Sequence, residues 1–257
     1  MKLSLSGRIL QGGAPPMSTA EFIALARDTG FELVELRASQ VPRTASAAAL
    51  AAVRAALDRA GVGVSMLVID DLAQLEAWVP IARILGTRLL RAGGPVERLR
   101  AAAAALPDDL RLAAQMHSQS PFEDVAQAAA ALAGIPEQRF GLIPEPANLL
   151  FAGARWTDEL FLPLRGRIYG CNAQSIALDP GSSAAVTMND GRQIPYGRLP
   201  WAANEALDFP GFLRALRAAG YDDFVNFIDP WYPQLSVREW AASTAAYARR
   251  CLEELPR

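Results

Sequence analysis

The chain has 257 residues, 51% of them hydrophobic, and a net charge of −2. That length can bury a sizeable core, while the charge balance gives no basis for binding nucleic acid or an anionic membrane surface. Two cysteines without a CxxC, Cys171 and Cys251, argue against a disulfide framework or thiolate zinc site, and a lone histidine, His117, excludes a multi-histidine metal site.

Taken in order, strand-like and helix-like segments alternate. The amino-terminal MKLSLSGRILQGG has too short an apolar run for a signal peptide, and no run reaches membrane-spanning length. Lys2 to Ser6 alternates as a first strand. Ser18-Thr19-Ala20-Glu21 is a capping box, and its helix ends at Gly30. Phe31 to Arg37 is a second strand, with Glu35 and Arg37 near its end. A helix over Thr44 to Ala60 leads to the apolar strand Val62 to Ile69, then to a helix ending at Leu85. Arg88 to Arg91 starts a fourth strand, and Gly93-Gly94-Pro95 turns into an alanine-rich helix. Leu110 to Met116 is the fifth strand, with Gln115 and His117 at its exit. Ser120-Pro121-Phe122-Glu123 opens the next helix.

Phe140 to Ile143 reads as a buried sixth strand, stopped by Pro144-Glu145-Pro146. A carboxylate on a stiff loop at the carboxyl end of a buried strand is where α/β proteins place ligand chemistry. The alternative is a solvated turn glutamate. A short helical piece follows around Trp156 to Leu162, then a seventh strand over Gly166 to Cys171. The segment to Leu207 is long enough for a lid or binding loop, and Asn189-Asp190-Gly191 marks a hairpin within Val186 to Tyr196. Asp208 caps a helix over Phe209 to Ala219, Asp223 to Ile228 is an eighth strand, and the last helix runs from Ser236 to Leu255. Eight strands alternating with helices, with no linker or charge block, predict one (β/α)8 TIM barrel over residues 1–257. An open doubly wound sheet is the runner-up, without a GxGxxG or P-loop to support it.

Four stretches resemble the xylose isomerase-like TIM barrels: TGFELVELR, GTRLLRAGG, EPANLLFAG and DFPGFLRALRAAGYDDFVNFIDPWY. The resemblance covers nearly the whole chain. It implies a sugar isomerase or epimerase, or a related lyase, and a divalent metal held by one residue on each of strands five to eight. Those positions fall on Gln115, Glu145, Asn172 and Ile228, with Asp229 one residue later. One carboxylate, two neutral amides and one apolar side chain are a poor set for a hard dication, so no bound metal is expected. Manganese, magnesium or zinc would need a shifted site built with Asp229, Glu35 or Asp179.

Gln115 and His117 share a strand face, and His117 is a candidate proton carrier or hydrogen-bond donor; its bland role is a bond to a neighbouring carbonyl. Glu145 is the candidate base, Glu35 a second carboxylate or a salt-bridge partner of Arg37 or Arg91, and Arg91 a candidate holder of a ligand carboxylate or phosphate. Asn148 and Asn172 suit hydroxyl recognition. Trp201, Trp231 and Tyr232 are expected at the barrel mouth, stacking on a sugar ring or burying a subunit contact, whereas Trp78, Trp156 and Trp240 read as packing residues. The expectation is a cytoplasmic enzyme acting on a small sugar-like carbonyl compound by metal-free acid–base chemistry, with a homo-oligomer as one option. The alternative is an inactive barrel serving as a sugar-binding or partner subunit.

Overall fold

The computed structural model describes residues 1–135 and 138–255. Its centre is a parallel barrel. Strands β1 (Lys2–Ser6), β2 (Leu33–Arg37), β3 (Gly63–Val68), β4 (Leu89–Arg91), β5 (Arg111–Gln115) and β6 (Phe140–Ile143) follow one another around it. On the other side, β1 pairs with the last strand of the chain, Phe224–Phe227, which pairs in turn with β7 (Asn172–Ala173).

The gap between β6 and β7 is closed by single contacts. Leu142 bridges to Ile168, and the Asn172 amide donates to the Pro144 carbonyl at 3.0 Å. The seventh strand is therefore shorter and later than the expected Gly166 to Cys171. Gly141 is required here: a Cβ would lie 2.5 Å from the Tyr169 ring and 2.6 Å from the Arg167 carbonyl.

Helices α1 (Thr19–Thr29), α2 (Ala47–Ala60), α3 (Leu75–Leu85), α4 (Val96–Ala105), α5 (Val125–Leu132) and α6 (Pro146–Phe151) fill the connections between β1 and β7. The capping box at Ser18 and Glu21 forms as expected. Two helices differ from the sequence reading. The α5 helix starts after Ser120-Pro121, because Asp124 caps it through the Gln127 amide and residues 118–123 form a loop. The helix expected around Trp156 lies earlier, as α6, because Glu145 caps its first turn; residues 157–164 form turns and a 3-10 turn at Leu162–Leu164.

Beyond β7, strands β8 (Ile176–Leu178), β9 (Ala185–Thr187) and β10 (Gln193–Arg198) form a separate antiparallel sheet, with the expected hairpin between β9 and β10. Helix α7 (Phe209–Ala218), strand β11 (the Phe224–Phe227 strand above) and helix α8 (Val237–Glu253) complete the order. Outside the barrel, Leu3, Leu5, Val34 and Leu36 pack under the helices with Phe22, Trp78, Phe212 and Trp240. A smaller cluster of Met66, Leu89, Ala113, Ile143 and Phe224 lies apart from that main core. Two residues on from Leu89, Ala113 and Phe224, on the same strand faces, stand Arg91, Gln115 and Asn226. The buried side of the barrel therefore turns polar toward its carboxyl-terminal end. No helix of the described residues is long and apolar enough to cross a membrane.

Candidate active site

The polar layer is a closed ring of side chains from five strands. Glu35 on β2 accepts from Asn226 Nδ2 on β11 at 2.8 Å, and the same nitrogen donates to Asn172 Oδ1 on β7 at 2.9 Å. Asn172 Nδ2 donates to Gln115 Oε1 on β5 at 3.0 Å, Arg91 Nη2 on β4 donates to that same oxygen, and Arg91 Nη1 returns to Glu35 at 3.5 Å. Ser4 and Ser6 on β1 support the ring, through Asn226 Oδ1 at 3.0 Å and Glu35 Oε1 at 2.5 Å. Arg37 also bonds Glu35 Oε1, at 2.9 Å. Glu35 is fully buried and shared by two guanidiniums, so both salt bridges considered from sequence form together.

Glu145 sits outside this ring, at the amino end of α6. Its Oε1 accepts from the Ala147 and Gln174 amides at 3.0 and 3.1 Å, and its Oε2 from the Asn148 amide and Asn148 Nδ2 at 2.9 and 2.5 Å. It is a helix cap on a buried turn, so the alternative of a solvated turn glutamate does not hold. Burial pushes its pKa up to about 7, against the pull of the three backbone amides. Asn148 is spent there too, its Oδ1 accepting from the Ser118 amide at 3.3 Å.

Asp229 is buried beside the same mouth. It accepts from the Ser175 amide at 2.9 Å, Trp201 Nε1 at 2.9 Å and the Tyr232 hydroxyl at 3.2 Å, and burial raises its pKa to about 6. Trp201 departs from expectation. It is only 3% exposed and packs against Phe209, Phe227 and Tyr247, because its indole N–H finds its partner in Asp229 inside the fold. Tyr232 is buried in the same way, while Trp231 is partly exposed and lines a surface hollow with Arg198.

His117 stands exposed at the rim, with Nδ1 2.8 Å from the Ser118 carbonyl. It shares a cavity of about 280 Å³ with Arg91, Gln115, Ser118 and Phe122. The hairpin reaches this wall: the Asn189 amide donates to Glu123 Oε2 at 2.8 Å, and Asn189 Nδ2 to the Ser120 carbonyl at 2.9 Å. Glu123 also accepts from the amide of Gln119, a non-glycine residue at φ 56°. The structure thus gathers Glu35, Arg91, Gln115 and Asn172 into one network, places His117 at a cavity that network touches, and leaves Glu145 and Asp229 as separate buried acceptors.

Of the four positions mapped from sequence to metal ligands, Gln115 and Asn172 have their oxygens engaged in the ring. Both Glu145 oxygens carry two N–H donors each, and Ile228 is apolar and buried. Among the described residues no group of three or more His, Cys, Asp or Glu side chains is placed to hold a metal ion. This donor set does not fit a divalent ion.

The sequence matches no protein-family model and no curated protein. Solved structures do match. The probable 3-DHS dehydratase AsbF of Bacillus anthracis superimposes with TM-score 0.75 at 14% identity, over 97% of this chain and 99% of its own. A xylose isomerase domain protein of Alicyclobacillus acidocaldarius gives 0.74 at 19% identity, over 98% of each chain. The fold is that of the xylose isomerase-like TIM barrels. The IolI protein, solved with a bound zinc atom, has the same barrel at TM-score 0.73 and 14% identity, over 100% of this chain and 99% of its own. Sugar 3-epimerases are among the further matches. In this barrel, Ser4, Ser6, Asn226, Gln174 and Arg198 are hydrogen-bonding residues of the mouth that the sequence reading missed. The alternation of KLSLS and DFVNFI was the available signal for the first three: polar side chains opposite core residues on strands that a barrel buries on both faces.

Proposed function

We propose that the chain acts on a small polyhydroxylated, sugar-like carbonyl compound, moving a proton at the carbon beside the carbonyl without a divalent ion. The observation that carries this reading is the cavity lined by both His117 and Arg91. With its hydrogen on Nδ1, toward the Ser118 carbonyl, the His117 imidazole keeps Nε2 as an acceptor. In the proposed step the substrate C–H proton passes to Nε2. The C–H electron pair forms a C=C bond as the carbonyl π pair moves onto oxygen, and the Arg91 guanidinium stabilises the resulting enolate oxygen. Return of the proton to the opposite face gives an epimer; its return to the former carbonyl carbon, with the α-hydroxyl proton passing to the enolate oxygen, gives an isomer; its donation from Nε2 to a β-hydroxyl, which leaves as water as the enolate pair forms the C=C bond, gives elimination.

This assigns the base to His117 rather than Glu145. Glu145 is a positioning residue that ties α6 to the Gln174 segment. The sugar-related names among the matching structures support the substrate class. The free, buried cysteines accord with a reducing cytoplasm.

The test is solvent deuterium incorporation, followed by NMR, into a panel of aldoses, ketoses and sugar acids. The reading predicts incorporation that His117→Gln abolishes. A second reading, a binding barrel without turnover, is favoured by the full use of Glu35, Glu145 and Asp229 as internal acceptors. Ligand binding with no deuterium incorporation by the unaltered protein would select it.

A further inference from the structure

Four guanidiniums meet at the mouth from different parts of the chain: Arg8 after β1, Arg37 at the end of β2, Arg91 at the end of β4 and Arg198 on the hairpin strand β10. Arg8 Nη1 and Arg198 Nη1 both donate to one neutral oxygen, Gln174 Oε1, at 3.3 and 3.2 Å. Among the described residues neither has a carboxylate within ion-pair distance, and Glu35 is the single acid that Arg37 and Arg91 share. The oxygens of Glu145 and Asp229 are held by other donors. Burial lowers the pKa of both Arg8 and Arg91; at Arg8 the like charges of Arg198 and Arg37 add to it against Asp229 and Glu145, and at Arg91 those of Arg37 and Arg8 add to it against Glu35. An amide oxygen satisfies hydrogen bonds but cancels no charge, so the four guanidiniums have one directly ion-paired carboxylate among them, Glu35, while Asp229 and Glu145 act on Arg8 only from beyond ion-pair distance.

We infer that Arg8, Arg37, Arg91 and Arg198 form a binding site for an oxyanion, so that the ligand carries a carboxylate or phosphate beside its hydroxyl groups. This rests on the sugar-like reading above and narrows it to anionic members of that class. Forked guanidinium donors match both oxyanions. Arg91 also lines the cavity that holds His117, which joins the anion site to the proposed reaction site. Arg198 arrives on the hairpin whose turn is tied down at Asn189, so the hairpin completes the site.

The experiment is calorimetric titration of the full chain at low salt with inorganic phosphate, D-gluconate, acetate and neutral ribitol, with thermal melts of each variant. Phosphate or gluconate should bind at least about tenfold more tightly than ribitol, and Arg8→Gln and Arg198→Gln should each weaken the anion about tenfold or more. Arg198→Lys should recover only part of that loss. Without anion, both glutamine variants should melt no lower than the unaltered protein, since each removes a like charge; a purely structural arginine would give lower melting temperatures. Tighter phosphate binding names a phosphate ester, and tighter gluconate binding a carboxylate. Anion binding unchanged in the double glutamine variant would overturn the inference. So would ribitol binding as well as phosphate or gluconate, which leaves the sugar-like reading standing. Gluconate bound no more tightly than acetate, a carboxylate without hydroxyl groups, would keep the arginine site and remove the sugar-like reading instead. Failure of both phosphate and gluconate to bind would overturn the anion site.

Discussion

Replacing Glu35 by glutamine tests the ring most severely. The Glu35 carboxylate is fully buried and receives Ser6 Oγ at 2.5 Å, Arg37 at 2.9 Å, Asn226 at 2.8 Å and Arg91 at 3.5 Å. Glutamine keeps one acceptor oxygen. Its NH2 group would face either the Ser6–Arg37 side or the Asn226–Arg91 side, donor against donor. Arg37 and Arg91 would also lose the counterion they share. Removing one partner of a buried pair costs about 3–5 kcal/mol. The lower end applies, because the Arg37 and Arg91 side chains retain 21% and 17% of their exposure to water. About 3 kcal/mol corresponds to a fall in melting temperature of roughly 6–12 °C for a chain of this size. Urea unfolding followed by tryptophan fluorescence at neutral pH measures it, with the exposed Glu97→Gln as a control expected within about 0.5 kcal/mol of the parent. A loss below about 1 kcal/mol for Glu35→Gln, at unchanged slope, would mean that Glu35 does not organise the mouth.

The buried carboxylates make a pH prediction. Glu145 and Asp229 have folded pKa values of about 7 and about 6, above their ordinary 4.5 and 3.8, so the folded state holds protons that the unfolded state has already released. Their contribution is therefore greatest at low pH and is lost as pH rises toward 7. The melting temperature should rise on going from pH 8 to about 5.5, and Glu145→Gln should flatten that rise; a flat or falling profile in the parent contradicts the assignment. Gly141→Ala places a Cβ within 2.6 Å of the Arg167 carbonyl and should cost about 1–3 kcal/mol by thermal melting, since backbone must move; a neutral effect would mean the closure between β6 and β7 gives way freely. Asn189→Ala removes the hairpin's side-chain bonds to Ser120 and Gln127, and should speed hydrogen exchange at residues 185–198 while leaving the global melting temperature within about 2 °C; unchanged exchange would show that the hairpin is held elsewhere.

Much of the barrel was legible because its strands are short apolar runs punctuated by glycines and capping residues. The seventh strand was misplaced because its pairing is set by β11 and single contacts to β6, not by its own apolar pattern. Glu145 could be located but not its role. Whether a carboxylate after a strand faces solvent or caps the next turn depends on the amides of Ala147 and Asn148 folding under it. Gln115 and Asn172 were legible by position, but Asn226, which donates to Asn172, lies in an otherwise apolar run where only strand alternation marks it. Arg8 and Arg198 were hidden for another reason. One follows a strand in a 3-10 turn and the other sits on a hairpin, and only tertiary docking brings both to Gln174.

The central claim is that positive charge in this mouth comes from arginine side chains, its oxygen acceptors being committed within the protein. Elemental analysis of the purified chain, before and after incubation with manganese, magnesium or zinc and dialysis, tests it most directly. The account predicts no stoichiometric metal under any of these conditions. One retained equivalent that disappears in Glu145→Gln or Asp229→Asn would contradict it, because those carboxylates would then have exchanged their internal donors for a metal ion.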